Sequence, residues 1–220
     1  MANGVHAFFF KTPLESTFLP WQLNEIFKDK IYEPYLKNKK DLIILDLGYF
    51  YGNFSYYASP FAKKIYGFEP NKESFEVANL QLEFNEIKNV TLYNQAISNK
   101  DGLVPFFEIN INKTMSSLVP YDSNLKPAYE IQSVRLDTFM SSEDITHIDF
   151  MKCDIEGGEY DLFGGDGFMN VADRIDIIMG EVHSWANRQP NQLRDSFKNN
   201  GFSFESIEGQ ADLFIAKRNE

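Results

Sequence analysis

The 220-residue sequence is poor in the residues that staple a chain or carry it across a membrane. Its single cysteine, Cys153, cannot close an intramolecular disulfide, and no Cys-x-x-Cys pair is present to hold zinc or exchange thiols. A disulfide-framed secreted scaffold is thereby excluded, and a reducing, cytoplasmic setting is expected. No run approaches the roughly 18–20 consecutive apolar residues of a membrane span; even Leu42 to Leu47 is broken by Asp46. The short run Ala7-Phe8-Phe9-Phe10 has no basic leader and gives way to Lys11, Thr12 and Pro13, so no signal peptide is read there. Positive charge is scarce too. With 21 Lys plus Arg against 32 Asp plus Glu, the net charge of −11 repels a phosphate backbone, and nucleic acid is not an expected partner. Internal repeats and low-complexity tracts are absent.

What is there reads as an ordinary globular chain, 43% hydrophobic and 24% charged, of a length that favours one domain over residues 1–220. From about residue 41 onward, apolar runs ending in Asp, Glu or Gly alternate with helical patterns, the mark of a parallel sheet with crossover helices. The runs 42–45, 64–69, 90–97, 148–154 and 175–182 are predicted strands, and 202–207 with 211–216 a closing hairpin turning at Glu208-Gly209. The expected fold is α/β: a doubly wound, mostly parallel seven-stranded sheet ending in an antiparallel hairpin, with helices on both faces. Val77, Leu80, Phe84 and Ile87 predict the apolar face of a helix starting at Asn71. Residues 1–40 predict a helical cover, with one helix over Trp21 to Lys28 and a second broken by Pro34. Residues 101–140 predict an inserted β region without helical period. The 21 Phe and 11 Tyr are read mainly as core.

Two stretches point to chemistry. In the first, a buried strand runs through Asp46-Leu47-Gly48-Tyr49-Phe50-Tyr51-Gly52-Asn53 into a helix. Gly48 permits a tight turn and close approach of a ligand to backbone, Gly52 permits a positive φ, and Asp46 sets a carboxylate at the strand's lip. A carboxylate there disfavours phosphate and suits an ammonium or sulfonium. Glu69 ends the next strand, where an acid commonly accepts from a ribose diol. Together these acids suggest a cationic nucleoside, and S-adenosyl-L-methionine meets the description. Its expected binding residues are Asp46, Gly48, Tyr49, Gly52, Asn53, Glu69, Pro70, Asn71, Gln95, Ala96 and Asp154, with Gln95-Ala96 at an adenine edge.

The second stretch is Lys152-Cys153-Asp154-Ile155-Glu156-Gly157-Gly158-Glu159, followed at the next strand end by Glu181-Val182-His183. Asp154, Glu156 and His183 are candidate catalytic groups, because a hydroxyl that attacks a methyl group must lose its proton. Glu181, Trp185 and Ser117 are candidates for acceptor binding. No residue is assigned to a metal; the same oxygen and imidazole donors would also suit a divalent cation, so that possibility stays open. Lys152 reads as a buried partner for an acid, and Cys153 as core.

The ordered landmarks Asp46-Leu47-Gly48 with Gly52-Asn53-Phe54-Ser55, Gly67-Phe68-Glu69-Pro70-Asn71, Asn94-Gln95-Ala96-Ile97-Ser98, Val134-Arg135-Leu136-Asp137-Thr138-Phe139 and Lys152 to Glu159 resemble the successive signatures of FkbM-type methyltransferases. The resemblance spans about Leu42 to Val182. It implies a Rossmann-like sheet, S-adenosylmethionine as methyl donor, and O-methylation of a small hydroxylated acceptor such as a sugar. Tyr49, Phe50 and Tyr51 stand where family loops often carry small or polar residues, and either narrow the donor pocket or shield it. Two other readings share these residues: a donor-binding protein that performs no transfer, and a nicotinamide-dependent oxidoreductase, against which Asp46 in place of a phosphate-loop glycine speaks.

Overall fold

The computed structural model describes residues 22–108, 116–184, 189–207 and 210–219. Seven strands form the main sheet: β1 (Leu42–Leu47), β2 (Ala62–Phe68), β3 (Val90–Tyr93), and then, beyond a smaller sheet of β4 (Ala96–Ser98), β5 (Gly102–Phe106) and β6 (Tyr129–Arg135), the strands β7 (Ile148–Cys153), β8 (Ile175–Glu181), β9 (Phe202–Ile207) and β10 (Gln210–Arg218). Their order is β3-β2-β1-β7-β8-β10-β9. The first five are parallel, while β10 runs antiparallel to both β8 and β9. The expected sheet and closing hairpin are therefore present, with the last strand slotted inside its hairpin partner; the turn at Glu208-Gly209 lies outside the described residues.

Alternation along the central strands sorts side chains into two cores. On one face Leu45, Met151, Ile178 and Phe214 pack with Phe163, Phe168 and Phe197, whose rings meet at 4.7–5.9 Å. On the other, Ile44, Phe150, Met179 and Leu213 pack beneath Ile26, Tyr32, Leu36 and Phe54. The N-terminal cover thus seals one sheet face. It does so with a π-helical turn, Asn24–Lys28, and a short helix, Glu33–Leu36. Pro34 starts that second helix, where its missing N–H costs nothing, instead of breaking it. Trp21 lies outside the described residues.

Three other expectations change. The run 90–97 is two strands in two sheets, because the chain turns at Asn94, whose amide donates to the carbonyls of Glu69 and Pro70. The insert supplies two strands of the small sheet, β5 and β6, beside β4 from the preceding run, but its end is the helix Leu136–Ser142, which buries Leu136, Phe139 and Met140. The helix Lys72–Phe84, capped by Asn71, buries Ser74, Ala78 and Gln81 and leaves Leu80 and Phe84 about half exposed. Small Ser74 and Ala78, with Gln81, form the buried face of that helix, so Leu80 and Phe84 of the expected apolar stripe turn outward while Val77 and Ile87 are half-buried. Leu80→Ser is accordingly expected to shift stability by less than about 0.5 kcal/mol, whereas Phe197→Ala should cost about 3–5 kcal/mol. Urea unfolding of the two variants checks this; equal losses would mean that the helix is seated on its apolar stripe.

Candidate functional site

Parallel register brings the two chemical stretches together. Asp46 on β1 is the Cα partner of Lys152 on β7, and Cys153 that of Gly180 on β8, so the strand ends carrying Asp46, Asp154 and Glu181 share one lip. Asp46 is 1% exposed. Its Oδ2 accepts from Ser55 Oγ at 2.7 Å, and its buried Oδ1 has no hydrogen-bond partner among the described residues. Lys152 Nζ lies 3.8 Å from Asp46 Oδ1 and 3.6 Å from Asp154 Oδ2, and donates to the Gly48 carbonyl at 2.7 Å. Burial pushes the Asp46 carboxyl up to about 6, against the pull of Lys152. Burial also works against the Lys152 ammonium, but Asp154, Asp46 and Glu181 together hold it well above the usual lysine range.

The turn after β1 is pressed onto its neighbours. Gly48 sits at φ +78°, and a Cβ there would come within 1.7 Å of the Asp154 carbonyl oxygen, so no other residue fits without moving backbone. Tyr49 turns inward and is 4% exposed; its ring occupies the space that side chains at Gly52 and Gly67 would take. The aromatic loop therefore does not plug the lip with Tyr49. Phe50 donates its N–H to Glu69 Oε2 at 2.7 Å, and Asn71 donates its own to Oε1 at 2.8 Å. Both Glu69 oxygens are thus already accepting, and burial pushes this carboxyl up to about 7. Each oxygen keeps one acceptor direction.

A cleft opens between the lip and the N-terminal cover, lined by Gly48, Tyr49, Phe50, Asn53, Lys152, Asp154, Gly180 and Glu181 from below and by Gln22, Glu25, Ile26 and Tyr32 from above. Of the expected donor residues, Gly48, Tyr49, Asn53 and Asp154 line it, Asp46 and Gly52 do not but adjoin the lining residues Lys152 and Tyr49, and Glu69 and Asn71 brace the loop from behind. Pro70, Gln95 and Ala96 do not line it; Ala96 is buried in the small sheet beside Ser133, and Asn94 makes the contacts to Glu69 and Pro70. The cover residues Gln22, Glu25 and Tyr32 were not legible beforehand, since they belong to no motif and reach the lip only through the fold.

Beside the cleft, His183 is the centre of four acids. Its Nδ1 lies 2.9 Å from Glu159 Oε1, and its Nε2 lies 3.4 Å from Glu181, 3.5 Å from Glu156 and 3.8 Å from Asp154. Burial alone would lower its pKa, but the hydrogen bonds to Glu159 and Glu181 and the charge around it push the imidazole up to about 11. Burial and the neighbouring Asp154 raise Glu156 to about 9, and Asp154 followed by burial raises Glu181. His183 is therefore an imidazolium at neutral pH. In that form no free lone pair remains to take a proton, so these surroundings favour a clamp over the expected base. Asp154, Glu156 and His183 do offer ligand atoms within 4.8 Å of one another. A protonated imidazole has no lone pair to give a cation, so this set would ligate only with His183 neutral.

Two acceptor-site expectations shift as well. Ser117 is 4% exposed, donates to the Glu156 carbonyl and accepts from Val119 N–H, so it props the acidic loop and does not face an acceptor. Trp185 lies outside the described residues. Glu181, by contrast, lines the cleft.

With this geometry in place, the sequence model of the methyltransferase FkbM domain matches residues 46–204. The chain belongs to the FkbM methyltransferase family. No curated protein matches its sequence. Among solved structures it is similar to precorrin-6y C5,15-methyltransferase from Geobacter metallireducens GS-15, at 13% identity and a TM-score of 0.51 with 86% of each chain covered. A methyltransferase FkbM from Methylobacillus flagellatus KT is also similar, at 13% identity and a TM-score of 0.54; the match covers 85% of this chain and 46% of that one, so this chain spans less than half of that relative's length. Magnesium protoporphyrin IX methyltransferase from Synechocystis PCC 6803, solved with bound S-adenosylmethionine, shares 12% identity and a TM-score of 0.51 over 90% of this chain and 79% of its own. At such identities the likeness shows the fold, that of Rossmann-like methyltransferases. Among the described residues, no helix is long and apolar enough to cross a membrane.

The charge state of this FkbM-family chain's histidine can be read directly. In NMR titrations the His183 ring is expected to stay protonated from about pH 6 to about pH 9, and Glu159→Gln should lower its transition by removing the hydrogen bond that raises it. Because the folded pKa is raised, the stability this group contributes is present below 6.5 and lost only as pH rises through about 11. A wild-type transition near the ordinary 6.5 would contradict the assignment.

Proposed function

We propose that this protein is a cytoplasmic enzyme that transfers the methyl group of S-adenosylmethionine to the oxygen of a small hydroxylated acceptor, a sugar hydroxyl being the leading case. The observation that carries this reading is that Asp154 and Glu181 line one cleft beside the Gly48 turn while an imidazolium fixes both from behind.

The residues present fit the donor. The buried Asp46 Oδ1, which makes no hydrogen bond among the described residues and has only Lys152 Nζ 3.8 Å away, suits a further cationic group near the bare Gly48 backbone. Gly48, Phe50, Asn53 and Asp154 would hold the amino-acid arm and Glu69 the ribose diol, while Pro70, Asn71, Gln95 and Ala96 stand outside the cleft and would meet the adenine only where the donor extends past it. When bound, S-adenosylmethionine supplies an electrophilic methyl group on a sulfonium and a neutral thioether as leaving group.

The chain's part is to place, dry and deprotonate the acceptor. An acceptor hydroxyl in the cleft donates to Asp154 or Glu181, and its proton passes to that carboxylate as the new C–O bond forms. Lys152 and His183, both nearly buried, keep the two carboxylates pointed at the cleft without competing for the proton. Glu156 is raised toward its neutral form and does not line the cleft, so it acts behind Asp154. The cover over the lip excludes water and leaves alignment to supply the remaining acceleration.

With labelled donor and a panel of hydroxylated acceptors, Asp154→Asn and Glu181→Gln are expected to reduce turnover by about 10²-fold or more, within the usual range for a lost base. Calorimetry should show donor affinity changing far less in those variants than in Asp46→Ala and Glu69→Ala. Unchanged turnover in both lip variants would remove them from the chemistry, and donor binding without transfer by the wild-type protein across the panel would favour a binding protein.

A further inference from the structure

The opposite end of the sheet carries a second gathering of ionisable groups. His147 and Asp149 flank Ile148 at the start of β7, and Asp176 is the second residue of β8. Asp154 and Glu181 lie five residues further along the same strands, about 16 Å away at the rise of an extended chain. Ile148 is the register partner of Ile175 and Phe150 that of Ile177, so the two aspartates between them stand side by side. Like charges placed directly opposite one another destabilise a sheet.

His147 Nε2 lies 3.0 Å from Asp176 Oδ2, and these two side chains are 45% and 48% exposed. An ion pair so exposed contributes little, and a single imidazole cannot balance two carboxylates. One ligand atom from each of His147, Asp149 and Asp176 falls within 4.8 Å of the other two. The supports are in place as well. Asp149 Oδ2 accepts from the Ile43 N–H on β1 at 2.7 Å, the kind of outer hydrogen bond that orients a ligating carboxylate. Arg174, two residues before Asp176, donates to the carbonyls of Ile145 and Thr146 and so fixes the turn that delivers His147. With its guanidinium spent on those carbonyls, it ties the two ligand-bearing segments together.

We propose that His147, Asp149 and Asp176 form a binding site for a divalent first-row transition ion, zinc being the leading case, that clamps the starts of β7 and β8. Imidazole nitrogen with two carboxylates suits zinc or cobalt, whereas calcium and magnesium favour oxygen alone. Three protein ligands leave a fourth position of a tetrahedral ion to water, which the exposure of the site supplies. The clamp is remote from the cleft and stands whether or not the chain transfers methyl groups.

The test is calorimetric titration of the tag-free full chain with zinc, cobalt, calcium and magnesium chlorides, alongside His147→Gln, Asp149→Asn and Asp176→Asn. Wild type is expected to take up one zinc per chain at micromolar concentration, with cobalt binding at the same site and calcium and magnesium far more weakly. Each variant should weaken zinc by about tenfold or more. Zinc should shift the ring signals of His147 in NMR spectra and leave those of His183 in place, which separates this site from the acids at the lip. Zinc should also raise the wild-type thermal midpoint and not that of the variants, because the ion binds only where the strands are assembled. Asp176→Asn removes one of two facing like charges, so without zinc it should melt no lower than wild type, and its lost binding is then not lost fold. Zinc uptake only at millimolar concentration, uptake unchanged in all three variants, shifts at His6 or His183 with His147 unmoved, or calcium bound as tightly as zinc would each overturn the site.

Discussion

A buried ammonium holds the lip of this sheet in shape. Lys152 is 8% exposed and reaches from β7 across to β1, where it ties the carbonyl of Gly48 to the carboxylates of Asp46 and Asp154. Burying such a charge is expensive by several kcal/mol, and only close, well-directed partners offset it. Those partners are the parts of the site: the strand-end acid, the glycine turn and the acid of the acceptor side. Remove the cation and the acids under and beside the cleft face one another without compensation. The same ion thus explains why a chain of net charge −11 can gather so many carboxylates at one place.

His183 does for the outer half of the lip what Lys152 does for the inner half. Its imidazolium is gripped by Glu159, which is fully buried, and presents its other nitrogen to Glu156, Asp154 and Glu181. The result is a layered charge pattern in which cations lie behind and carboxylates face the cleft. Such a surface favours neutral or cationic ligands over anionic ones and leaves the facing carboxylates as proton acceptors. A histidine beside acids at an active lip is easily taken for the base; here its surroundings make it the clamp.

Much of this was legible in the sequence, and the reasons it was legible also mark where reading stopped. Doubly buried strands such as Leu42 to Leu45 and the acids at their ends announce a parallel sheet and its lip, because a central strand must be apolar on both faces. Asp46, Gly48, Asp154 and Glu181 follow from the same logic. The helix at Lys72–Phe84 misled, since its packing face is written in Ser74, Ala78 and Gln81, and Leu80 and Phe84 of its apolar stripe point outward. Ser117 misled because a serine in a loop looks available until its partners are seen. Glu25 carried no signal at all: an isolated acid in a cover segment acquires meaning only when topology sets it over the cleft. The protonation of His183 was likewise out of reach, as it depends on four carboxylates drawn from Asp154 to Glu181 and folded to within 4 Å.

The most direct measurement is the thermal midpoint of Lys152→Met against wild type from about pH 5 to about pH 8. Asp46 is raised to about 6, so at the acid end the carboxyls that lose their partner can protonate, while at the alkaline end they are forced to ionise without it. The gap between variant and wild type should therefore widen steadily as pH rises. A gap that stays constant across the range would mean that Lys152 contributes packing alone and that charge does not organise the lip.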